Sequence, residues 1–599
     1  MRQNNLAGWK YCSDLNNLLF FAQKLDELLF HYSIDSYRYP ALSLLGLAEE
    51  YCNVYYDVKR KIINEKNLDH IVDEFAFCLK NDIVAETILT KEYANRFVKN
   101  YSSWSNKTKY ENLLYVQRKL GNYTYFNKIV EHLRKCIKNG KEKRSIDKYS
   151  AILVRELINY GYDENYIYKT LHNVFFHQSV KDIESFDVFV KNFDFIEKKY
   201  VVYIGYSQDI SCLLPLFQKM IIKDEDIEFV DINSVPVGIK TKKQKTILRF
   251  NSIKSLDYYS AYGLAKSISS LIIDAHSFYL HRSNAVRSYG QVIDEEKQIY
   301  TIHSKDLLKY RVSASSQIDA NKKAASLLNI IFSSYENMRE ISKLTEIHNS
   351  AIYAENTSDS LLGLWSILEA QCDSDEKESD TIGSIKRKVI PFLKSTYVQK
   401  LVNTCMTDII RWDKSFFDTK ILSNGYGKNE IEHTFAFLVF SDQDSVRKEF
   451  NALTEKYPLL RYRVWILHEQ LHNIKNIKLL IENHTKRVEW HLHRIYRARN
   501  YIIHDGARND KMNQELVINL HSYVDLMFTE IISIINRSPY RDAMKDVVIS
   551  HKLAVSILDE QLVNQENKEI DCEDALKYLY YDFEQSKMSI ACQTPGTKL

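Results

Sequence analysis

The chain has 599 residues, of which 45% are hydrophobic and 27% charged, and its formal net charge is only +3. This composition excludes a disordered chain, and it excludes a polycation that binds nucleic acid over its whole surface. The 7 prolines and 15 glycines are too few for the tight turns of a sandwich, barrel or propeller, so they predict a mainly α-helical protein of several domains.

The cysteines and the longest apolar runs indicate the cellular compartment of the protein. The 9 cysteines are scattered singly and form no Cys-x-x-Cys pair, which predicts reduced thiols rather than a disulfide or zinc framework. No uncharged run approaches the roughly 20 residues that span a membrane. The apolar run at 18–21 has charges too close to it for a signal peptide. We therefore expect a cytoplasmic protein with no membrane partner.

The first region, residues 1–195, is expected to be helical. Apolar residues recur at three- and four-residue spacing in segments such as 15–29 and 151–160, the pattern of an amphipathic helix. We expect a sensing or regulatory role for this region.

The second region, residues 196–312, is expected to be a small α/β module. Short β-branched and aromatic runs predict strands, and amphipathic segments predict helices. The predicted strands are 200–206, 227–232, 246–250, 278–281 and 298–303, and the predicted helices are 213–222 and 256–274. The order strand, helix, strand, strand, helix, strand is that of a ferredoxin-like split unit.

The third region, residues 313–540, returns to a helical pattern and predicts a bundle. Residues 541–599 are expected to form a helical C-terminal appendix. The predicted helices of the bundle are 320–347, 360–371, 382–393 (disturbed at Pro391), 459–482, 485–504 and 513–536.

The candidate functional side chains are concentrated in the helix predicted at 485–504. From Lys486 to Arg499 this helix holds five basic residues and one acid. At about 100° per residue, Arg497 and His504 differ by only about 20° around the axis, whereas Arg499 and His504 differ by about 140°. Asn500 lies one turn before His504. One helix end can therefore present arginine, asparagine and histidine together.

This helix end resembles the HEPN family. Arg499-Asn-x-x-x-His504 matches the R-x(4–6)-H signature of HEPN domains. The upstream helix Leu364-Trp-Ser-Ile-Leu-Glu-Ala370 and the phrase Arg494-Ile-Tyr-Arg-Ala-Arg-Asn-Tyr-Ile-Ile-His-Asp-Gly506 are similar to the Apea-like branch of that family. The resemblance covers about residues 320–540 and does not extend to residues 1–310.

The resemblance implies a four- or five-helix bundle that dimerises and forms one composite site from the Arg and His helices of two copies. It implies a metal-independent endoribonuclease without a cofactor. His504 would be the general acid or base, and Arg499 would stabilise the transition-state phosphate. Asn500 would position the phosphate or the histidine. Glu369 would hold Arg499 or a neighbouring arginine. The product would carry a 2′,3′-cyclic phosphate.

Two assignments within this helix stay open at the level of sequence. Arg497 also fits the signature and lies on the His504 face, whereas the family phrase favours Arg499, with Arg497 assisting. Arg494, Lys486 and Arg487 are expected to contact RNA, and a tRNA anticodon loop would suit a defence nuclease because its bases are unstacked.

Three other interpretations compete with the ribonuclease. The residues Arg497, Arg499 and His504 would also suit a salt-bridged helix end with Asp505 and Glu369, and a HEPN domain without activity would bind RNA or a protein. A rival motif, His468-Glu469-Gln-Leu-His472, matches the H-E-x-x-H of zinc proteases, with Glu489 as a candidate third ligand.

A ribonuclease that is always active would harm its host, so we expect an inhibited resting state in antiviral defence or growth arrest. A phage-derived trigger or an antitoxin would control it, and the N-terminal half is the expected place of control. On this view, deleting residues 1–310 raises basal toxicity.

Overall fold

The computed structural model describes residues 6, 9, 15–30, 33–140, 142–180, 182–207, 227–230, 235, 245–280, 287–302, 308, 317–333, 335–354, 356–370, 381–504, 510–537, 549, 551–557 and 559–560. Its contacts divide the chain into two compact units. The first unit comprises residues 1–5, 11–150 and 307–599, and the second comprises residues 6–10 and 151–306.

The elements follow in chain order, beginning with the N-terminal helices. These are α1 (Asn16–Leu29), α2 (Leu44–Lys59), α3 (Asn67–Lys80), α4 (Ile83–Leu89), α5 (Lys91–Asn100), α6 (Asn106–Leu120), α7 (Thr124–Lys138), α8 (Lys143–Tyr160), α9 (Glu164–Phe175) and α10 (Glu184–Lys191). The sheet and its helix follow: β1 (Lys198–Tyr206), β2 (Ile227–Val230), β3 (Thr246–Ser255), α11 (Tyr258–Leu280), β4 (Arg287–Ile293) and β5 (Ile299–Ile302).

The C-terminal helices complete the chain. They are α12 (Gln317–Ile331), α13 (Tyr335–Tyr353), α14 (Thr357–Ala370), α15 (Thr381–Ser395), α16 (Tyr397–Trp412), α17 (Glu430–Val439), α18 (Asp444–Leu453), α19 (Pro458–Leu471), α20 (Ile474–His504) and α21 (Asp510–Arg537). In the part of the chain that the structure describes, none of the helices is both long enough and apolar enough to cross a bilayer.

Side-chain caps explain where several of these helices begin. The Ser43 hydroxyl accepts a hydrogen bond from the Gly46 backbone N–H at the start of α2. Asp82 accepts from the N–H groups of Val84 and Ala85 at the start of α4. Such caps satisfy backbone donors that the first helical turn leaves without a partner, and each stabilises its helix by about 1 kcal/mol.

The second unit contains a five-stranded sheet of order β2-β3-β1-β4-β5, in which all neighbouring strands are antiparallel. The first four strands have the order expected of the ferredoxin-like split unit, and β5 extends the sheet beyond β4. The helix predicted at 213–222 lies outside the described residues. The strand predicted at 278–281 is wrong, because residues up to Leu280 continue α11, and the strand β4 was missed.

The region after α11 has two hydrophobic cores in place of the single bundle that the sequence predicts. One core is built from residues between Leu308 and Leu393 together with residues between Val488 and Ile531. The other is built from residues between Tyr397 and Ile481. The helices α16–α19 therefore form an insertion with its own core. Helix α20 contributes residues 474–481 to the core of this insertion and residues 488–498 to the first core.

The N-terminal helices α1–α7 belong to the same compact unit as the C-terminal helices. The division between the two units falls between residues 150 and 151, within α8, whereas the sequence places a boundary at residue 195. The predicted helices 15–29 and 151–160 are present as α1 and the end of α8. Helix α15 runs through Pro391 to Ser395, beyond the predicted interruption.

Candidate functional site

Helix α20 is buried along most of its second half and becomes accessible only near its end. Val488, Leu492, Ile495 and Ala498 lie in the core that α20 shares with α14, α15 and α21. All residues from 491 to 498 are buried except the half-buried Tyr496, whereas 499–502 are half-buried and Ile503 is exposed. Between residues 491 and 504, a ligand can therefore approach this helix only near its last turn.

Arg494 and Arg497 are bound to carboxylates from the N-terminal helices. Arg494 donates from Nε and Nη2 to the two carboxylate oxygens of Glu50, both at 2.9 Å, and from Nη2 to Oε2 of Glu74 at 2.6 Å. Arg497 Nη2 lies 2.9 Å from Oε1 of Glu50. The arginine side chains are only 1% and 4% exposed. Two cations and two anions thus meet in a buried, charge-balanced cluster.

The pKa values of the two carboxylates in this cluster shift in opposite directions. Burial alone would raise the pKa of Glu50, but Arg494 and Arg497 outweigh it and hold the pKa at about 2. Burial raises the pKa of Glu74, and the neighbouring Glu50 carboxylate raises it further, so that Arg494 and Arg497 offset the increase only in part. The cluster is a structural tie. It places the side chains of Arg494, expected to contact RNA, and Arg497, expected to assist Arg499, in buried ion pairs rather than at the accessible end of the helix.

Arg499 occupies a different environment. Its Nη2 lies 3.3 Å from Oε1 of Glu369, its Nη1 donates to Oδ1 of Asn500 at 3.2 Å, and its side chain is 25% exposed. Trp365, fully buried, donates from Nε1 to the same Oε1 of Glu369 at 2.7 Å. In the described part of the chain, Glu369 and Asn500 are the polar partners of Arg499. The guanidinium has five N–H groups, so it can also bind an anion at the exposed end of α20.

The predicted contact between Glu369 and Arg499 is present, and both interpretations of this helix end expect it. His504 is the last residue of α20, and its side chain lies outside the described residues, as does Asp505. The backbone places His504 five residues and about 7.5 Å along the axis from Arg499. Arg499, Asn500 and His504 therefore share the last two turns of α20.

The two basic residues at the other end of the motif lie far from this turn. Lys486 and Arg487 precede His504 by about 27 Å along the helix axis at 1.5 Å per residue. Lys486 is exposed. Arg487 pairs with the buried Asp35 at 3.3 Å and donates to Oγ of Ser36 at 2.9 Å. Of the three expected RNA contacts, Lys486 alone is exposed.

The H-E-x-x-H motif lies on α19 and the residue that follows it. His468 Nδ1 lies 2.7 Å from the carbonyl oxygen of Leu438, and His472 Nδ1 lies 3.1 Å from the carbonyl oxygen of His468. Glu489, the candidate third ligand, pairs with Lys386 at 3.6 Å. Among the described residues, no further His, Cys, Asp or Glu converges with these two histidines to make a group of three ligands. This geometry gives no support to a zinc protease.

The partners of α20 in the N-terminal helices were not predicted from the sequence. Glu50 and Glu74 lie 444 and 420 positions from Arg494, and Asp57 accepts a hydrogen bond from the Tyr501 hydroxyl. An isolated acid on an amphipathic helix carries no signal of so distant a partner. The sequence signal was the density of arginines where polar and charged residues interrupt the apolar stripe of this helix.

A scan against protein-family models found no matching family. Searches of curated proteins and of solved structures found no similar protein either.

Proposed function

We propose that this chain is a metal-independent endoribonuclease of the HEPN type that acts through Arg499, Asn500 and His504. One observation carries the proposal. Of the three arginines between 494 and 499, two are buried in ion pairs, and the third is accessible, held by Glu369 and Asn500 at the end of a buried helix. Arg497 also fits the HEPN signature with His504, but Arg499 is the arginine that asparagine follows, as in the family phrase.

The residues suit RNA transesterification. The RNA 2′-hydroxyl attacks the adjacent phosphorus, the bond from phosphorus to the 5′-oxygen breaks, and a 2′,3′-cyclic phosphate and a 5′-hydroxyl result. A histidine with an ordinary pKa of about 6.5 can accept or donate the proton that moves. The guanidinium of Arg499 can stabilise the charge that develops on the phosphate oxygens. No metal-activated water is needed, because the substrate supplies the nucleophile.

The proposal includes a homodimer or higher oligomer, in which the ends of α20 from two copies complete the site. The chain's own helices bury most of residues 491–498, so within the second half of α20 a second copy would meet the helix at its last turns. The exposed Ile503 (48% exposed) offers apolar surface there, beside Arg499. RNA is the proposed substrate, with a tRNA as one candidate, and antiviral defence or growth arrest in the cytoplasm is the proposed setting.

The experiment measures growth of bacteria that overexpress the chain. We expect the wild-type protein to slow growth, and Arg499→Ala and His504→Ala each to relieve it at equal protein levels. Glu482→Ala is the matched control, because Glu482 is an exposed residue on the first half of the same helix. Toxicity that persists in both site variants would overturn the assignment of the site.

A HEPN module that binds RNA or a protein without cutting is the alternative. It predicts that the His504→Ala protein has the wild-type affinity for RNA and that the wild-type protein leaves that RNA intact. A gel-shift titration with both proteins, followed by analysis of RNA length, separates the two functions.

A further inference from the structure

Three metal-ligating side chains converge on a pair of helices that do not carry the proposed RNA site. His348 lies on α13, and His521 and Asp525 lie one turn apart on α21. His348 Nε2 is 3.0 Å from Oδ1 of Asp525, and His521 Nδ1 is 3.4 Å from Oδ2 of the same carboxylate. No two of the three ligand atoms are more than 4.8 Å apart. Within the part of the chain that the structure describes, this is the one place where three such groups meet.

We propose that His348, His521 and Asp525 bind a divalent transition-metal ion of the zinc class. Two imidazole nitrogens and one carboxylate oxygen are a common zinc donor set. Around a tetrahedral Zn²⁺ with bonds near 2.1 Å, neighbouring ligand atoms lie about 3.4 Å apart. His348 Nε2 and His521 Nδ1 lie 3.0 and 3.4 Å from different oxygens of Asp525, and the ligand atoms of all three residues lie within 4.8 Å of one another. Side-chain rotations within the cluster would therefore bring both nitrogens and one oxygen to this separation.

The ligands stand on rigid elements. Leu344 and Ala351 of α13, and Leu520 and Val524 of α21, are buried in one hydrophobic core. The four-residue spacing of His521 and Asp525 places both on one face of α21. The edge of the Phe528 ring packs against His348, and the two imidazole rings stack with their centroids 5.4 Å apart. Packing therefore holds the ligands in their convergent arrangement before the ion binds.

The exposure of the three groups fits an ion that reaches its site from solvent. His521 is buried, whereas the side chains of His348 and Asp525 are 22% and 28% exposed. Three protein ligands leave one coordination position, which water can fill from the exposed side. The ion would tie α13 to α21, and it would take no part in the chemistry proposed at the end of α20.

The H-E-x-x-H histidines provide the internal contrast. Their rings also stack, at 5.4 Å, but their Nδ1 atoms lie next to backbone carbonyl oxygens, and no third ligand joins them among the described residues. Zinc bound by this protein is therefore expected at the cluster of His348, His521 and Asp525.

The test uses the untagged full-length chain, stripped with a chelator and dialysed against Zn²⁺. We expect about one zinc per chain by elemental analysis, and a loss of affinity of more than about tenfold in His521→Gln and Asp525→Asn. His348→Gln alters a partly exposed ligand and keeps the test valid if the buried variants fail to fold. His468→Gln and His472→Gln are the matched controls, which should retain zinc.

A second measurement reads stability rather than binding. Zn²⁺ should raise the thermal unfolding temperature of the wild-type chain and of both H-E-x-x-H variants, because a ligand that binds only the folded state stabilises it. It should leave the unfolding temperature of His348→Gln unchanged. Absence of zinc from the wild-type chain would show that the cluster is only a hydrogen-bonded brace. Loss of zinc in His472→Gln would move the site to α19. Either result overturns the proposal.

Discussion

Three arginines within six residues of α20 have different roles because their surroundings differ. Arg494 and Arg497 are buried against Glu50 and Glu74, whereas Arg499 is a quarter exposed beside Glu369. A charge removed from water needs a partner, and loss of that partner leaves a buried ion without compensation. Partly exposed pairs contribute little to stability. The two buried arginines therefore support the fold, and the third is available for binding.

These environments predict a large loss of stability for one alanine variant and a small loss for another. Arg494→Ala should lower the free energy of unfolding by about 3–5 kcal/mol, since it leaves Glu50 and Glu74 with less compensation for their burial. Arg499→Ala should lower it by less than about 1 kcal/mol. Urea unfolding of the two purified variants measures both values. Equal destabilisation by both changes would contradict the distinction between structural and functional arginines.

At the same scale, sequence reasoning identified the Arg499–Glu369 contact but did not anticipate the buried ion pairs of Arg494. The resemblance to a family phrase placed Glu369 near Arg499, and both interpretations of the helix end needed a carboxylate there. The burial of Arg494 depends on Glu50 and Glu74, which are more than 400 residues away in the chain. A local pattern shows the charge of an arginine but not what covers it.

At the scale of elements, the helices follow from periodicity, but their partners do not. Apolar spacing predicted the helices that became α1 and α14, and short β-branched and aromatic runs predicted the strands that became β1 and β5. The same spacing does not reveal that α16–α19 have a core of their own, because an amphipathic helix shows the same pattern whatever it packs against.

Pro391 is tolerated inside α15, where its neighbour Phe392 is fully buried.

The packing of α20 changes the expectation for truncation. Removing residues 1–310 removes α2 and α3, which carry Glu50 and Glu74, and exposes the buried Arg494 and Arg497. The fragment 311–599 should therefore fail to fold as a stable domain, and the rise in toxicity expected from the sequence should not occur. Solubility and circular dichroism of this fragment, compared with the full-length chain, measure the effect. A soluble, helical and toxic fragment would restore the original expectation.

At the scale of the whole molecule, buried histidines make stability depend on pH. Burial lowers the pKa of His491 to about 3 and of His493 to about 2, and it places the pKa of His484 well below its ordinary value. These residues stay neutral in the folded state, whereas in the unfolded chain they gain protons below about pH 6.5. The stability that they contribute is present above pH 6.5 and is lost as the pH falls toward 3.

We therefore expect the first compact unit to unfold more easily at pH 5 than at pH 7.5. Each neutral histidine contributes about 1.4 kcal/mol per pH unit in this range. The raised pKa of Glu74 acts in the opposite direction and offsets part of the loss, whereas Glu50, with a pKa of about 2, responds only below about pH 4.5. Urea titrations at several pH values measure the slope. His491→Gln should make it shallower, and an unchanged slope would contradict this account.

The most direct test of the central claim, that Arg499, Asn500 and His504 cut RNA, is a map of RNA ends. Purified wild-type and His504→Ala proteins are incubated with total cellular RNA in EDTA, alone and with extract from phage-infected cells. The account predicts new 2′,3′-cyclic phosphate ends with the wild-type protein, in one or both conditions, and none with the variant. Equal numbers of such ends with both proteins, or none with the wild type in either condition, would contradict it.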